Sequence, residues 1–410
     1  MLSSNKNKGI LLIGVLAVIL LIIMYRMNSI DTSQHSQNNN NSLPSKTKTT
    51  EMTDTQSSSN VEHNLKHKID TLFVQHQLLE NSSTAPSYIN DQTIVFDVDQ
   101  YIDEKGTSVH NILKFDRVKN KIENIYQSKP NISIGSLVGI NNVLYWVEYP
   151  VYLEAVTPWE IKYYSLITNE RGTLRKGVGE DFINPPVLFV ENNQLSWIEK
   201  KIHEKVVTSE AIIHIPDSNK NVVVGVSHLN EKDKKKKDGR FMLHHRPVEE
   251  GLLINQSVFK RVNNKTVKSF DLYFYPYNNK TAPTVIYPNS DEIIDFTANQ
   301  EWLVLCTYGK VQVINRKSGQ LQYEVLGESK ELTFDTPFIR GEFLYYRYST
   351  SQIFKLNLDN GDKEEVTSPR STTSKIFNSN QFLGFAYNQS VNPNSDNRVE
   401  FTVINTEAVD

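Results

Sequence analysis

The sequence is short of the features that usually announce chemistry. It holds one cysteine in 410 residues, which excludes an intramolecular disulfide framework and a multi-cysteine zinc site. That residue, Cys306, stands inside the apolar run WLVLCTY and reads as a buried small hydrophobe rather than a reactive thiol. No cysteine lies near the start of the chain, so no acyl group can be attached there. Charge of one sign is missing too: 44 Lys and Arg against 47 Asp and Glu leave a formal net charge of -3. Nothing global therefore attracts a polyanion, and nucleic acid is not an expected partner. The chain shows no phosphate loop, no nucleophile beside an ordered base and no defensible pair of carboxylates, so no catalytic residue and no cofactor is assigned. Helical periodicity is nearly absent beyond about residue 80.

Long apolar runs are missing with one exception. Residues 10–25 (ILLIGVLAVILLIIMY) are uncharged, with Lys6 and Lys8 before them and Arg26 after. Such a run spans about 25 Å as a helix at ~1.5 Å per residue, enough to cross a hydrocarbon core if the flanking cations snorkel. We read residues 10–27 as a transmembrane anchor and 1–9 as a short tail held in the cytoplasm by the positive-inside bias, so that the rest is extracytoplasmic. A cleaved signal peptide is the competing reading, but no pair of small residues sits at the required spacing between Met24 and Asn38. Residues 28–60 are Ser, Thr, Asn and Gln with scattered charge, a composition that cannot bury enough surface to order itself. They read as a disordered tether with a reach on the order of 30 Å.

What the chain has in quantity is short apolar and aromatic strands. From residue 94 a grammar recurs: an apolar strand, a variable loop, a second apolar strand, a tight polar turn, a third strand. First strands begin at Ile94, Val143, Leu195, Leu252, Trp302, Phe343 and Phe382, at spacings of 49, 52, 57, 50, 41 and 39 residues. In VLYWVEY, Val143, Tyr145, Val147 and Tyr149 alternate with Leu144, Trp146 and Glu148, so both faces of this ribbon need cover. One such unit cannot bury both faces alone, whereas units in a circular array cover each other. The predicted fold is all-β: a β-propeller over residues 61–410 with about seven blades, six being the alternative count. The seventh copy ends after its second strand. A ring left open would expose strand edges, so the segment IDTLFVQ (69–75), which could also be helical, is expected to be the missing outer strand, paired beside residues 399–405.

These aromatic-rich units resemble bacterial TolB-like propellers and the propeller half of prolyl-oligopeptidase-type enzymes. The resemblance covers roughly residues 69–405 and rests on generic blades, without a repeated Trp-Asp ending or an Asp-box. It implies a propeller and not a protease, because the Gly-x-Ser-x-Gly elbow of the appended hydrolase is missing.

Binding residues are expected on the longer loops, which lie on one face of such a ring: 100–109, 150–158, 200–208, 261–267 and 389–397. The richest carries Tyr149, Tyr152, Glu154 and Trp159, rings beside a carboxylate that suit sugar stacking or peptide capture; packing against neighbouring blades is the competing role. Lys234, Lys235, Lys236 and Lys237 form the one dense charge run, a candidate contact for anionic wall polymer or lipid headgroups that is diluted by Glu231, Asp233 and Asp238. Adjacent His244 and His245 point to opposite strand faces, so they cannot share a metal, and no metal site is assigned. Asp97, Asp99 and Asp103 lack the glycine and the Glu of a calcium loop and read as strand surface. Two functions follow: a membrane-anchored module that binds an envelope protein, peptide or glycan, and, as the alternative, an envelope carbohydrate hydrolase or lyase on the same scaffold.

Overall fold

In the computed structural model, residues 48–50, 68–79, 84–104, 106–152, 154–180, 183–191, 193–230, 238–263, 265–278, 282–290, 293–367, 372–387 and 398–407 are described. The expected anchor and Lys234 to Lys237 lie outside the described residues. Among the described residues no helix is long and apolar enough to cross a membrane.

The alternation seen in VLYWVEY is resolved by two neighbours. Leu144 and Trp146 pack with Tyr88, Val95 and Ile112 of the preceding unit, while Tyr145 and Val147 pack with Leu195, Trp197 and Ile212 of the next. Each tryptophan satisfies its indole N–H on the glutamate two residues later: Trp146 donates to Glu148 at 3.2 Å and Trp197 to Glu199 at 3.0 Å. That satisfaction is what lets a ring with a polar edge sit wholly inside. The same two-sided packing runs throughout. Among the described residues strands pair in six sheets; one has eight strands and consists of two four-stranded meanders joined only at Leu229–Gly239 and Asn230–Asp238, and one has a short fifth strand, Lys48–Thr50, added to its four. The result is seven four-stranded units. Among the described residues seven apolar clusters fill the seven spaces between consecutive units.

All seven first strands expected from sequence are present, but each is the second strand of its unit. The innermost strands are Pro86–Ile89, Ile132–Ile140, Phe189–Glu191, Asp238–Val248, Asp295–Ala298, Phe334–Arg340 and Phe377–Ser379. Tight turns gather at one end, where positive φ angles fall on Asn141 and Asn142 (46° and 66°), Asn193, Gly341 and Asn380. Asparagine and glycine are the residues that tolerate this geometry.

The ring closes as the pattern required. Lys68–Gln75 pairs antiparallel with Arg398–Asn405 over eight residues, Leu72 opposite Phe401. Val74 enters the cluster of Ile94, Phe96 and Phe401 between the last and first units, and Arg117 bonds Asp70 across that seam at 3.1 Å. Inside the stretch read as tether, the three-residue strand Lys48–Thr50 runs parallel to Leu321–Leu326.

Two expected loops are corrected. Residues 200–208 and 261–267 are continuations of the ladders, Lys200 pairing with Ser209 and Arg261 with Thr266. Strands Gln194–His203 through Lys265–Pro276 run 10 to 12 residues, against 6 for the central strands of the fifth and sixth units. The strands of the third and fourth units are therefore longer by roughly 13–20 Å at ~3.3 Å per residue. Sequence grammar missed this because these ladders are polar on their exposed side.

The seam gives a test. Val74→Asp places an unpaired charge in the closing cluster and is expected to cost on the order of 3 kcal/mol or more in urea unfolding. Phe73→Asp, on the exposed face of the same strand (59% accessible), should change stability by about 0.5 kcal/mol or less. Equal effects would mean that the strand does not lock the ring.

Candidate functional site: the axial cavity

Four of the innermost strands are only three or four residues long, and four are interrupted by register shifts, between Pro86 and Tyr88, Gly135 and Val138, Met242 and His244, and Asp335 and Phe338. A bulge bends its strand and re-aims side chains out of the ladder. Ser136 and Thr336 take φ of 52° and 46° at these points. Converging on the axis, the bulged strands leave a cavity of about 570 Å³ lined by residues of every unit, among them Ser87, Asp97, Ser136, Leu137, Leu188, Phe189, His244, Arg246, Asp295, Asp335, Thr336, Phe338, Lys375 and Ile376. The volume is that of a small-ligand site, and its mixture of apolar wall and few polar groups is usual for one.

A chain of hydrogen bonds ties the polar groups across four units. Arg246 grips Asp295 with two bonds, Nε to Oδ1 at 3.0 Å and Nη2 to Oδ2 at 2.6 Å. His244 Nε2 lies 3.2 Å from the same carboxylate, which also accepts the backbone N–H groups of Phe296 and Thr336. The guanidinium lies over Phe189 at 4.6 Å and Phe338 at 5.4 Å, cation–π contacts that favour arginine over lysine here. Burial pushes the Asp295 carboxyl up, but Arg246 and His244 outweigh it and hold it well below the usual range. In the sixth unit Arg347 grips Asp335 at 2.8 and 2.6 Å and donates to the carbonyl of Thr373 in the seventh. His245, turned away, lies 3.2 Å from Ser196 Oγ and is pushed down to about 3 by burial, so it is neutral.

At the tight-turn end the axis is crossed by a polar bar. Arg340, the last residue of its inner strand, donates to Asn378 of the seventh unit, and Asn378 Nδ2 donates to Glu191 of the third at 2.9 Å. Arg340 and Glu191 are also an ion pair at 3.6 Å. The cavity begins above this bar, and the segments before the inner strands, including Val187, Leu188 and Lys375, bring it to the long-loop end.

Asp97 corrects the sequence reading. It was expected on a strand surface; instead it lines the cavity. Burial raises its pKa to about 6, and its carboxylate forms no ion pair among the described residues, its hydrogen bond coming from its own backbone. Asp99 is the one that reaches water, paired with His110. The aromatic loop divides. Trp159 is buried at 5% accessibility among Tyr145, Val147 and Trp197, and Tyr149 packs half-buried over Gly135, while Tyr152 and Glu154 are exposed. The structure does not bring these four together as one face. Among the described residues no group of three His, Cys, Asp or Glu side chains could hold a metal ion.

Two measurements probe the cavity. Arg246→Met strands Asp295 without a cation and should cost about 3–5 kcal/mol, most of it recovered when Asp295→Asn is added; an uncorrected double variant would break the pairing argument. Asp97 has the opposite sign. Because its folded pKa is raised, the protonated form stabilises the fold below the unfolded value of 3.8, and that contribution is lost as pH rises through about 6. Asp97→Asn should therefore be more stable than the parent at pH 7.5 and gain nothing at pH 4. Thermal unfolding at the two values checks it.

No protein-family model matches the sequence, and no curated protein matches it. Solved structures do. The β-propeller domain of the Trilobed protease from Pyrococcus furiosus is similar with a TM-score of 0.51 and 10% identity, over 78% of this chain and 93% of that one. Pyrococcus horikoshii acylaminoacyl peptidase is similar with a TM-score of 0.50 and 9% identity, over 77% of this chain and 50% of that one. The chain spans about half the length of that peptidase. At such identity the likeness shows the fold alone: this chain is a β-propeller, distantly similar in structure to the propellers of these peptidases.

Proposed function

We propose that the chain is a binding module whose site is the axial cavity, displayed outside the cell by the N-terminal anchor and tether and directed at an envelope protein, peptide or glycan. The observation that carries the reading is the state of the cavity's charges. Asp295 and Asp335 are each fixed by a two-point arginine pair, an arrangement that shapes and stiffens a wall rather than one that moves protons. A carbohydrate hydrolase needs two acids free to exchange a proton or attack, and of the three aspartates lining the cavity only Asp97 is unpaired among the described residues. The sequence supports the location: one apolar run flanked by lysines, then a polar stretch.

The test uses the full chain in detergent micelles as bait against envelope extract, beside Val187→Trp, which fills the mouth of the cavity from a position 52% accessible. A partner retained by the parent and released by the variant is expected. Equal retention by both, or none at any salt concentration, would overturn the cavity as the site.

A further inference from the structure

Among the described residues, Asp97 is the one carboxylate lining the cavity that forms no ion pair. It sits on Thr93–Tyr101, where Val95 and Asp97 share the face turned toward the second unit and Ile94, Phe96 and Val98 turn toward the seventh. Opposite it the bulge at Ser136 and Leu137 bends the inner strand of the second unit, and both residues line the cavity with it. The carboxyl is half-buried between these strands and lines the cavity. A carboxylate in such a place normally has a cation or several donors. His110 lowers the cost and Asp99 raises it, but His110 is itself paired with Asp99. The other charged groups of the cavity do not supply the cation. Arg246 pairs with Asp295 and Arg347 with Asp335, and Asp97 forms no ion pair with Lys375 on the same wall. The cavity wall it shares carries Leu137, Leu188, Phe189 and Ile376 beside the hydroxyls of Ser87 and Ser136.

We infer that the ligand of this cavity carries a primary ammonium group that pairs with Asp97 while its apolar or sugar body lies against Leu137, Leu188 and Phe189. The inference rests on the reading of the cavity as a binding site and names the chemistry that site selects. An ammonium donates the hydrogen bonds that the carboxylate lacks and removes an uncompensated charge from a site of low dielectric, where such a pair is stronger than in water. Two sources of the group are compatible with an envelope ligand, the amino terminus of a peptide and the amine of an amino sugar, and the experiment separates them.

Calorimetric titration of the full chain at pH 7.5 uses two matched pairs: leucyl-leucinamide with its N-acetyl form, and glucosamine with N-acetylglucosamine. In at least one pair the free amine is expected to bind tenfold or more tightly than the acetylated form, and which pair responds identifies the source. Asp97→Asn should bring that ratio close to one. Lowering the pH to 5 should do the same for the parent chain, because Asp97 then takes up a proton, and this second readout does not depend on the variant's folding. Binding of both members of a pair with equal affinity, unchanged by Asp97→Asn, would overturn the inference and leave the cavity a ligand site. Binding of none of the four also overturns it, while the mouth-filling variant judges the site itself.

Discussion

Everything in this structure depends on strands that are apolar on both faces. A sheet with one wet face can stop after packing once, but a sheet whose two faces alternate Leu144 and Trp146 with Tyr145 and Val147 must be covered twice. Repeating that demand seven times leaves no terminal unit that could end the stack against water. Circular closure removes the ends, and the chain achieves it by lending the last unit an outer strand from the beginning of the fold, Lys68–Gln75. A linear array would need capping units with a polar face, whereas here all seven spaces between units hold apolar clusters among the described residues.

Closing the ring creates the cavity. Units meet most tightly at the axis, and each of the seven inner strands there is either three or four residues long or interrupted by a bulge. Bulges free backbone N–H groups from the ladder, and the one at Thr336 is used to hold Asp295. The same crowding explains why the ion pairs sit here: a guanidinium sandwiched by Phe189 and Phe338 and gripped by a carboxylate links units without the volume of another aromatic ring. Such pairs add little net stability against an apolar replacement, but breaking one is costly, so they fix geometry more than they hold the fold together.

This division marks what could be read from the chain. The second and third strands of each unit were legible because Ile94, Val143, Leu195, Leu252, Trp302, Phe343 and Phe382 each open an apolar run bounded by Asn, Asp and Gly, and the closing partner followed from the exposed edge that its absence would leave. The inner strands were not legible. FVE at 189–191 and FNS at 377–379 are three residues each, too short for any period to register. The site is made almost entirely of these. Asp97 was visible but misplaced, because alternation tells which residues share a face and not that the strand borders the axial cavity. Trp159 drew notice as an aromatic on a loop, yet Gly177 leaves the space that its ring fills, a cross-strand relation with no local signature.

The two ends of the axis differ in kind, and that difference gives the molecule a direction. At the tight-turn end Arg340, Asn378 and Glu191 join three units across the axis with side chains whose partners are one another. Water or ligand entering there would have to break these charge-assisted contacts. At the other end the cavity walls belong to segments that precede the inner strands, beside the tall hairpins of the third and fourth units. Changes in those segments alter the mouth without touching the seven apolar clusters, so recognition can vary while the ring is conserved in shape. The bar of Arg340, Asn378 and Glu191 thus marks one end of the axis, and the segments holding Val187, Leu188 and Lys375 mark the other.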